Sequence, residues 1–335
     1  MNSVRVCCSA KINLTLEIIG RRADGYHELR TIFQSVSLSD ELVIERGAES
    51  RHPTVTMIGS PAPVGMDLCD RAARAYFEAT DWQHDVTIGL HKHIPVGAGL
   101  GGGSADAAGT LLGLATLHGQ PDLESLHDLA AAIGSDVPFF LQGGTALGTG
   151  RGECLEPLPP LTEGWLVIAK PSLSVSTREA YGLLRAEDYS DGSRTARCVE
   201  TLRRGGPTAS DCGTGACTPT CVCEQSAPDG GVQAPAPQRC HGTGSGSALR
   251  ELAAGLYNGF ARVVEERWPD TRALRERLLL RGAQTAMLSG SGAAVFGVFE
   301  DQPTATAAVA AFNAEGTWAV AAQPTTCGLT VTPQA

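Results

Sequence analysis

The residues best suited to chemistry lie in a glycine-dense stretch, Pro95 to Ala108, with the sequence PVGAGLGGGSADAA. Five of the seven residues from 97 to 103 are glycines, and a backbone without Cβ atoms can adopt positive φ and approach a ligand closely. Ser104 precedes an apolar, leucine-rich run, so we expect it to cap a helix whose N-terminal N–H groups face the same ligand. The stretch predicts an anion site, most simply for a phosphate. The alternative is an ordinary glycine turn.

This loop differs from the two common nucleotide-binding signatures. A Walker A loop requires a Gly-Lys-Ser/Thr sequence, and no Gly-Lys pair occurs in the chain. A dinucleotide-binding loop lies in an early strand-helix unit and is followed about 20 residues later by an acidic residue, and the pattern here does not fit. A phosphate bound at this loop therefore needs positive charge from elsewhere in the chain.

Two lysines are the candidates for that charge. Only three lysines occur among the 26 basic residues, and two of them, Lys11 and Lys92, lie in informative places. Lys11 belongs to an alternating apolar and polar segment that predicts a strand, with Asn13 on the same face. Lys92 lies between a predicted strand and the glycine loop. His91 and His93 flank it, but no carboxylate or cysteine at ligand spacing favours a metal site there.

Asp136 is the candidate carboxylate. It follows a helix predicted from Asp122 to Ile133 and precedes the apolar sequence Val-Pro-Phe-Phe, where an unpaired carboxylate would be costly. Either it caps the next turn or it takes part in chemistry, and the sequence leaves both readings open. A lysine, a carboxylate and a phosphate loop together suit phosphoryl transfer, in which catalysis is mainly positioning and charge neutralisation.

Length and composition limit the possible classes. The chain has 335 residues, enough for about two domains. Its 26 basic and 36 acidic residues give a net charge of -10, which disfavours nucleic acid or an anionic membrane surface as the main partner. No apolar run has membrane-spanning length and Met1 to Ala10 does not resemble a secretion signal, so we expect a cytoplasmic protein whose cysteines are mostly thiols. The cysteines expected as small core residues are Cys7, Cys8, Cys69, Cys154 and Cys327.

The order of predicted elements favours an α+β fold. Strands dominate the first fifty residues, and helices and strands alternate afterwards. Helices are predicted at Arg71 to Thr80, Ala248 to Arg267 and Asp270 to Arg281. The segment from about 188 to 246 differs, being rich in Gly, Ser, Thr and Pro and holding six of the eleven cysteines. Its cysteine spacing matches no familiar zinc pattern, so a solvated linker and a metal site both remain possible.

The chain resembles the GHMP kinase superfamily in three motifs: Ser9 to Leu14 (SAKINL), the glycine loop, and Leu288 to Phe296 (LSGSGAAVF). Arg22 to Leu29 (RADGYHEL) and Gly134 to Phe140 (GSDVPFF) resemble the branch whose substrate is a cytidine diphosphate-linked methylerythritol. The resemblance covers nearly the whole chain. It breaks only at about 206 to 247, where the superfamily has no comparable insertion.

The resemblance implies a two-domain α+β fold with the active site in the cleft between the domains. Residues 1–158 would form an ATP-binding domain similar to the second domain of ribosomal protein S5. Residues 159–335 would form a ferredoxin-like α/β sandwich that carries the cysteine-rich insertion at about 206–247. We expect a monomer or a weak homodimer.

The resemblance also implies ATP-dependent phosphorylation of the 2-hydroxyl of that substrate, in isoprenoid precursor biosynthesis by the non-mevalonate pathway. Asp136 would deprotonate the hydroxyl and Lys11 would keep the carboxylate charged. Mg²⁺ would arrive with ATP, without a metal site of the protein's own. The residues implied to wrap ATP are Pro95, Val96, Gly97, Ala98, Gly99, Leu100, Gly101, Gly102, Gly103, Ser104 and Ala105.

The implied substrate contacts fall into two groups. Tyr26 would stack on the cytosine, His27 would form hydrogen bonds with it, and Tyr181 would cover its other face. The residues implied to contact the erythritol or its diphosphate are Asn13, Lys92 and Thr177.

Three alternative functions remain at this point. One is a superfamily kinase acting on homoserine or mevalonate, and another is an ATP-dependent decarboxylase with the same fold, against which the Tyr26 and His27 loop argues. The third is a nucleotide or metal sensor without catalysis, built around the cysteine-rich segment. Retention of both Lys11 and Asp136 argues against the sensor, since a binding module needs no base.

Overall fold

The computed structural model describes residues 1–62, 67–119, 122–205 and 247–334. Helices and strands both contribute extensively, which confirms the expected α+β class. The predicted cysteine-rich insertion at 206–247 lies, apart from its last residue, outside the described residues. Among the described residues, none of the helices has both the length and the apolar character needed to cross a lipid bilayer.

The larger sheet is organised around two long antiparallel strands, which pair from Ser3 with Glu45 to Arg21 with His27. Its strands are β1 (Ser3–Arg21), β2 (His27–Glu49), β3 (Val55–Ile58), β4 (His84–His91), β5 (Thr145–Gly150), β6 (Cys154–Pro157), β8 (Tyr257–Asn258) and β12 (Leu329–Gln334). One half of β2 pairs with β4 and the other half with β5. The C-terminal strand β12 returns to pair with β1. The strand that carries Lys11 therefore lies inside the sheet.

Helices of the first half cover one face of this sheet. They are α1 (Leu68–Ala79), α2 (Gly102–His118), α3 (Leu123–Ile133) and α4 (Val137–Gln142). Helix α2 is buried along most of its length and packs against β1 and β2. A Cβ on Gly113 would lie 2.5 Å from Ile44 Cδ1, so this glycine allows the helix to approach the sheet closely. The glycine loop at the start of α2 is thereby held against a rigid layer.

The smaller sheet is antiparallel, with strand order β11-β7-β10-β9. Its strands are β7 (Trp165–Lys170), β9 (Thr285–Leu288), β10 (Val295–Phe299) and β11 (Trp318–Ala322). The remaining helices are α5 (Thr177–Gly182), α6 (Ser193–Gly205), α7 (Ser247–Ala253), α8 (Ala261–Arg267), α9 (Pro269–Leu280) and α10 (Gln302–Ala314), with a 3₁₀ turn at Ala186–Asp188. One apolar cluster joins Ile168 and Phe296 of this sheet to Ile12 of β1. The two sheets thus share a core beside the strand that carries Lys11.

Three predictions about the elements and the core are wrong. The segment from about 188 to 246 is expected from the sequence to be a solvated linker or a metal site, but its described part forms helix α6 over Ser193–Gly205. The helix predicted from Ala248 to Arg267 is interrupted, because Tyr257–Asn258 pairs with β1 as a short parallel strand and the Gly259 N–H donates to Leu16 O (2.8 Å). Cys154 is exposed on the outer strand β6 instead of lying in the core. Cys8 and Cys69 are buried, as expected.

Candidate active site

The glycine loop, residues 95–101, joins β4 to α2. Gly97, Gly99 and Gly101 have φ of 66°, 75° and 74°, in the region that favours glycine. A Cβ on Gly101 would lie 2.5 Å from Phe140 Cζ, so a side chain there has no room. The expected cap at Ser104 is wrong, because left-handed Gly101 takes the N-cap position and Ser104 lies within the first helical turn. The first N–H groups of α2 therefore remain for a ligand.

A second glycine loop, residues 289–292, packs directly on the first. Ser289 Oγ donates to Gly99 O (3.1 Å), and Ala294 N donates to Ala98 O (3.0 Å). A Cβ on Gly99 would lie 2.9 Å from Gly292 O, so only glycine allows this approach. The two glycine motifs, which are about 190 residues apart in the chain, therefore form one structural unit.

Lys11 lies beneath both loops. The backbone N–H of Lys11 donates to Leu100 O (2.9 Å) in the first loop. Its side chain reaches the second loop, because a Cβ on Gly290 would lie 3.5 Å from Lys11 Nζ. The ammonium donates to Asn13 Oδ1 (2.8 Å) and lies 3.7 Å from Asp136 Oδ2. Burial lowers the pKa of Lys11, and the nearby carboxylate of Asp136 opposes that shift. A buried cation is thus directed toward a carboxylate at the glycine loops.

Asp136 occupies the N-cap position of α4, but its side chain makes no capping hydrogen bond. The sequence left two roles open for Asp136, a helix cap and a part in chemistry. The carboxylate does not cap the helix. The Asp136 side chain is 34% exposed, whereas that of Lys11 is 5% exposed. Burial raises the pKa of Tyr181, and the Asp136 charge adds to that shift. The carboxylate thus lies close to the buried Lys11 ammonium and acts electrostatically on Tyr181 of the second half.

Asn13 is part of a buried hydrogen-bond chain along β1. Its Nδ2 donates to Thr31 Oγ1 (2.7 Å), and that hydroxyl donates to Thr15 O (2.6 Å). Asn13 is 1% exposed, and its Oδ1 accepts from the Lys11 ammonium. The structure therefore places Asn13 where it orients Lys11. Its predicted contact with substrate stays a prediction.

Two of the predicted cytosine residues contact each other, and the third is exposed. The His27 and Tyr181 rings stack with centroids 4.9 Å apart, while Tyr26 is 57% exposed and Arg151 lies 5.0 Å from its ring centre. Burial lowers the pKa of His27, and Arg21 adds to this shift, so the neutral imidazole is favoured. A neutral imidazole offers one donor and one acceptor, as base recognition needs.

The other two predicted substrate residues contact the two glycine loops. Thr177 and Ser291 share a hydrogen bond between their hydroxyls (2.9 Å). A Cβ on Gly102 would lie 3.1 Å from Lys92 Nζ, and that ammonium forms ion pairs with Asp40 and Asp106. Lys92 therefore lies under the start of α2. The substrate roles of Thr177 and Lys92 stay predictions.

Known proteins are similar to this chain in both sequence and architecture. Family models for the N-terminal and C-terminal domains of GHMP kinases match residues 67–144 and 242–317. The 4-diphosphocytidyl-2-C-methyl-D-erythritol kinase of Moorella thermoacetica is 40% identical, with 88% of this chain and 90% of that protein covered. The enzyme of the same name from Gloeobacter violaceus is 37% identical, with 94% and 92% covered. The chain belongs to the 4-diphosphocytidyl-2-C-methyl-D-erythritol kinase family.

Solved structures agree with this assignment. A crystal structure of a 4-(cytidine 5'-diphospho)-2C-methyl-D-erythritol kinase is 32% identical and superposes with a TM-score of 0.71, with 95% of this chain and 99% of that chain covered. The homoserine kinase of Cytophaga hutchinsonii is 15% identical with a TM-score of 0.68, with 99% and 98% covered, and shows the shared fold alone. This kinase therefore has the GHMP kinase fold that the motifs predicted.

Sequence reasoning missed several residues that support the site in this kinase. Asn258 Nδ2 donates to Leu288 O and Gly290 O (both 2.8 Å), so it holds the second glycine loop. Tyr189 makes an edge contact with His27 (6.0 Å between ring centres). Asp40 and Asp106 bind Lys92. The sequence around Asn258 does not predict this role, because the role depends on a loop that is distant in the chain.

The residues present fit ATP. The positive-φ glycines Gly97, Gly99 and Gly101 and the uncapped N-terminus of α2 offer backbone N–H groups to an anion, as phosphates need. In the described parts of the chain, no group of three or more His, Cys, Asp and Glu side chains is arranged to hold a metal ion.

Proposed function

We propose that this kinase transfers the γ-phosphoryl group of ATP to the 2-hydroxyl of 4-diphosphocytidyl-2-C-methyl-D-erythritol, in isoprenoid precursor biosynthesis by the non-mevalonate pathway. The observation that carries the proposal is the Lys11 and Asp136 pair, 3.7 Å apart where the two glycine loops meet. The family assignment supports the choice of substrate.

Asp136 acts as the general base. Its partly exposed carboxylate accepts the proton of the 2-hydroxyl as that oxygen attacks the γ-phosphorus. Lys11 keeps the carboxylate charged before the proton moves and offsets negative charge on the transferring group afterwards. Asn13 orients Lys11 by accepting a hydrogen bond from its ammonium. The pair thus combines proton acceptance with charge neutralisation.

The residues from Pro95 to Ala105 bind the ATP phosphates through backbone N–H groups and the start of α2. Lys92 lies beneath the start of α2, where Asp40 and Asp106 pair with its ammonium. Mg²⁺, when bound with ATP, neutralises phosphate charge and orients the leaving group. Asn258 donates a hydrogen bond to Gly290 O of the second glycine loop, and Ser289 of that loop donates one to Gly99 O.

The cytosine is recognised by Tyr26, His27 and Tyr181. The stacked His27 and Tyr181 rings and the exposed Tyr26 ring support this assignment, because nucleobases stack on aromatic faces. Neutral His27 supplies hydrogen bonds. Thr177, which is bonded to Ser291, contacts the erythritol diphosphate.

The site lies in the cleft between an ATP-binding domain, residues 1–158, and a second domain, residues 159–335, whose last strand returns to the first sheet. Contributions of Lys11 and Gly99 from the first and of Ser289 and Thr177 from the second support this division. We place the kinase in the cytoplasm as a monomer or weak homodimer without nucleic-acid or membrane partners. The net charge of -10 supports the absence of polyanionic partners.

A coupled ADP-release assay tests the proposal. Purified protein is offered 4-diphosphocytidyl-2-C-methyl-D-erythritol beside mevalonate, homoserine and galactose, and ³¹P NMR locates the new phosphate. We expect turnover with the cytidylyl substrate, a product phosphorylated at the 2-position, and loss of turnover in Asp136→Asn. Phosphorylation of another alcohol, or carbon dioxide release from a carboxylated substrate, would replace the proposal with one of the related activities.

A further inference from the structure

A buried cluster of Lys92, Asp40 and Asp106 joins both ends of the glycine loop. Asp40 Oδ1, on β2, accepts hydrogen bonds from the backbone N–H groups of His93 (2.6 Å) and Ile94 (2.8 Å), which lead into the loop. Asp106 lies in α2, which leaves the loop. The Lys92 ammonium pairs with Asp40 Oδ2 and lies 2.7 Å from Asp106 Oδ2. One ammonium thus ties the entry of the loop to its exit.

The cluster has an uneven charge balance. Two carboxylates share one ammonium, and the side chains of Asp40 and Asp106 are 0% and 2% exposed. Asp106 Oδ1 is buried without a hydrogen-bond partner among the described residues. Since an unpartnered buried carboxylate oxygen is costly, the cluster favours a proton on one of its carboxylates.

We propose that this cluster positions the glycine loop and takes up a proton when nucleotide phosphates bind there, with Asp106 as the proton acceptor. The inference rests on the proposed function, since it takes the loop as the ATP site. The proton comes from solvent and protonates one carboxylate, and no bond in the nucleotide changes. Lys92, whose side chain is 17% exposed, is the most exposed of the three side chains in the cluster.

The electrostatics set the direction of the effect. Burial raises the pKa of Asp106 to about 7, and the Asp40 charge adds to this shift while Lys92 opposes it. The groups facing Asp106 from other elements are Asp40 on β2, Lys92 after β4, Cys8 on β1 and Cys69 on α1. Burial raises the pKa of both thiols, and Asp106 adds to those shifts, so the thiols stay neutral. Protonation of Asp106 therefore changes the net charge of the cluster from -1 to zero.

Phosphates bound above the cluster favour its neutral state. If they raise the pKa of Asp106 by about one unit, nucleotide affinity falls about fivefold between about pH 6 and about pH 8. This fall comes in addition to the titration of the nucleotide itself. In Asp106→Asn the amide oxygen can still accept from Lys92, so the loop stays tied, but the titrating charge is lost.

Isothermal titration calorimetry with ADP and Mg²⁺ tests the inference. The dissociation constant is measured at about pH 6 and about pH 8, and proton uptake is measured near pH 7 in two buffers of different ionisation enthalpy. We expect wild type to show about fivefold more pH dependence than Asp106→Asn, and to take up protons that the variant does not. Asp128→Asn, which removes an exposed carboxylate on α3, should match wild type.

Asp40→Asn provides a second variant should Asp106→Asn fold poorly. Without the Asp40 charge the pKa of Asp106 falls, so the extra proton uptake near pH 7 should also disappear. Wild-type pH dependence and proton uptake in both variants, with ADP binding retained, would overturn the inference and leave the proposed function intact. Failure of wild type to bind ADP would overturn both. Normal proton linkage without phosphorylation of the cytidylyl substrate would count against the proposed function alone.

Discussion

We expect Asp136 and Lys11 to act as one unit, which a double-mutant cycle can measure. Asp136→Asn keeps the shape of the side chain but removes its capacity to accept a proton, and loss of a general base typically lowers kcat by about 10² to 10⁴. The KM for ATP should barely change, because the phosphate site is mainly backbone. Lys11→Met should lower kcat by a similar factor, because the base and the transferring group both lose their cation.

The structure gives the scale of the direct charge attraction between the two groups, which is one part of their coupling. Unit charges 3.7 Å apart attract by about 4 kcal/mol at an effective dielectric constant of 20. Because the Asp136 side chain is 34% exposed, solvent screening reduces this to about 1 to 2 kcal/mol. That energy corresponds to roughly tenfold in rate. The rest of the expected loss in kcat arises from the proton-transfer step that the two residues share.

The assay is steady-state ADP release at saturating concentrations of both substrates. The double variant should be little slower than either single variant, because residues that share one step are strongly non-additive. Lys170→Met, which replaces a lysine bonded to Pro171 O and Leu173 O, and Asp128→Asn serve as matched controls with near-normal kcat. Fully additive losses would refute the shared step. A near-normal kcat for Asp136→Asn would remove this residue from catalysis.

Three further predictions follow from the site. Tyr26→Ala should raise the KM for the cytidylyl substrate roughly 10- to 100-fold through loss of one stacking face, and an equal rise in the KM for ATP would exclude Tyr26 from the cytosine site. Replacing residues 206–246 by a short Gly-Ser linker should leave kcat within a few-fold, because the entropic cost of closing a loop rises only with the logarithm of its length. If the purified protein holds stoichiometric zinc, and the deletion removes both the zinc and the activity, the prediction is contradicted. Burial lowers the pKa of Lys11, so its ammonium should lose its proton at a lower pH than that of a free lysine, and kcat should fall there. A pH–rate profile that stays flat up to the usual lysine pKa of about 10.4 would argue against a charged Lys11 in the reaction.

The sequence by itself determined the features that depend on neighbouring residues. Alternation along residues 4–19 predicted a strand with Lys11 and Asn13 on one face, and their side chains are hydrogen-bonded in the structure. Glycine density predicted a loop with positive φ before a helix, and the helix after Asp122 has the predicted extent. Each of these features follows from backbone preference and local periodicity, which a linear chain contains in full.

Only the tertiary structure decided which distant groups meet. Lys11 and Asp136 are far apart in the chain, and their separation of 3.7 Å depends on how α4 packs against α2 and α3. The residues around Lys92 in the sequence do not indicate that two buried carboxylates, from β2 and α2, pair with its ammonium. Asn258 similarly acquires its role from the loop it holds. Ion pairs and side-chain hydrogen bonds between elements depend on the packing of whole layers, and that packing is set by the cores they share rather than by the residues beside each group.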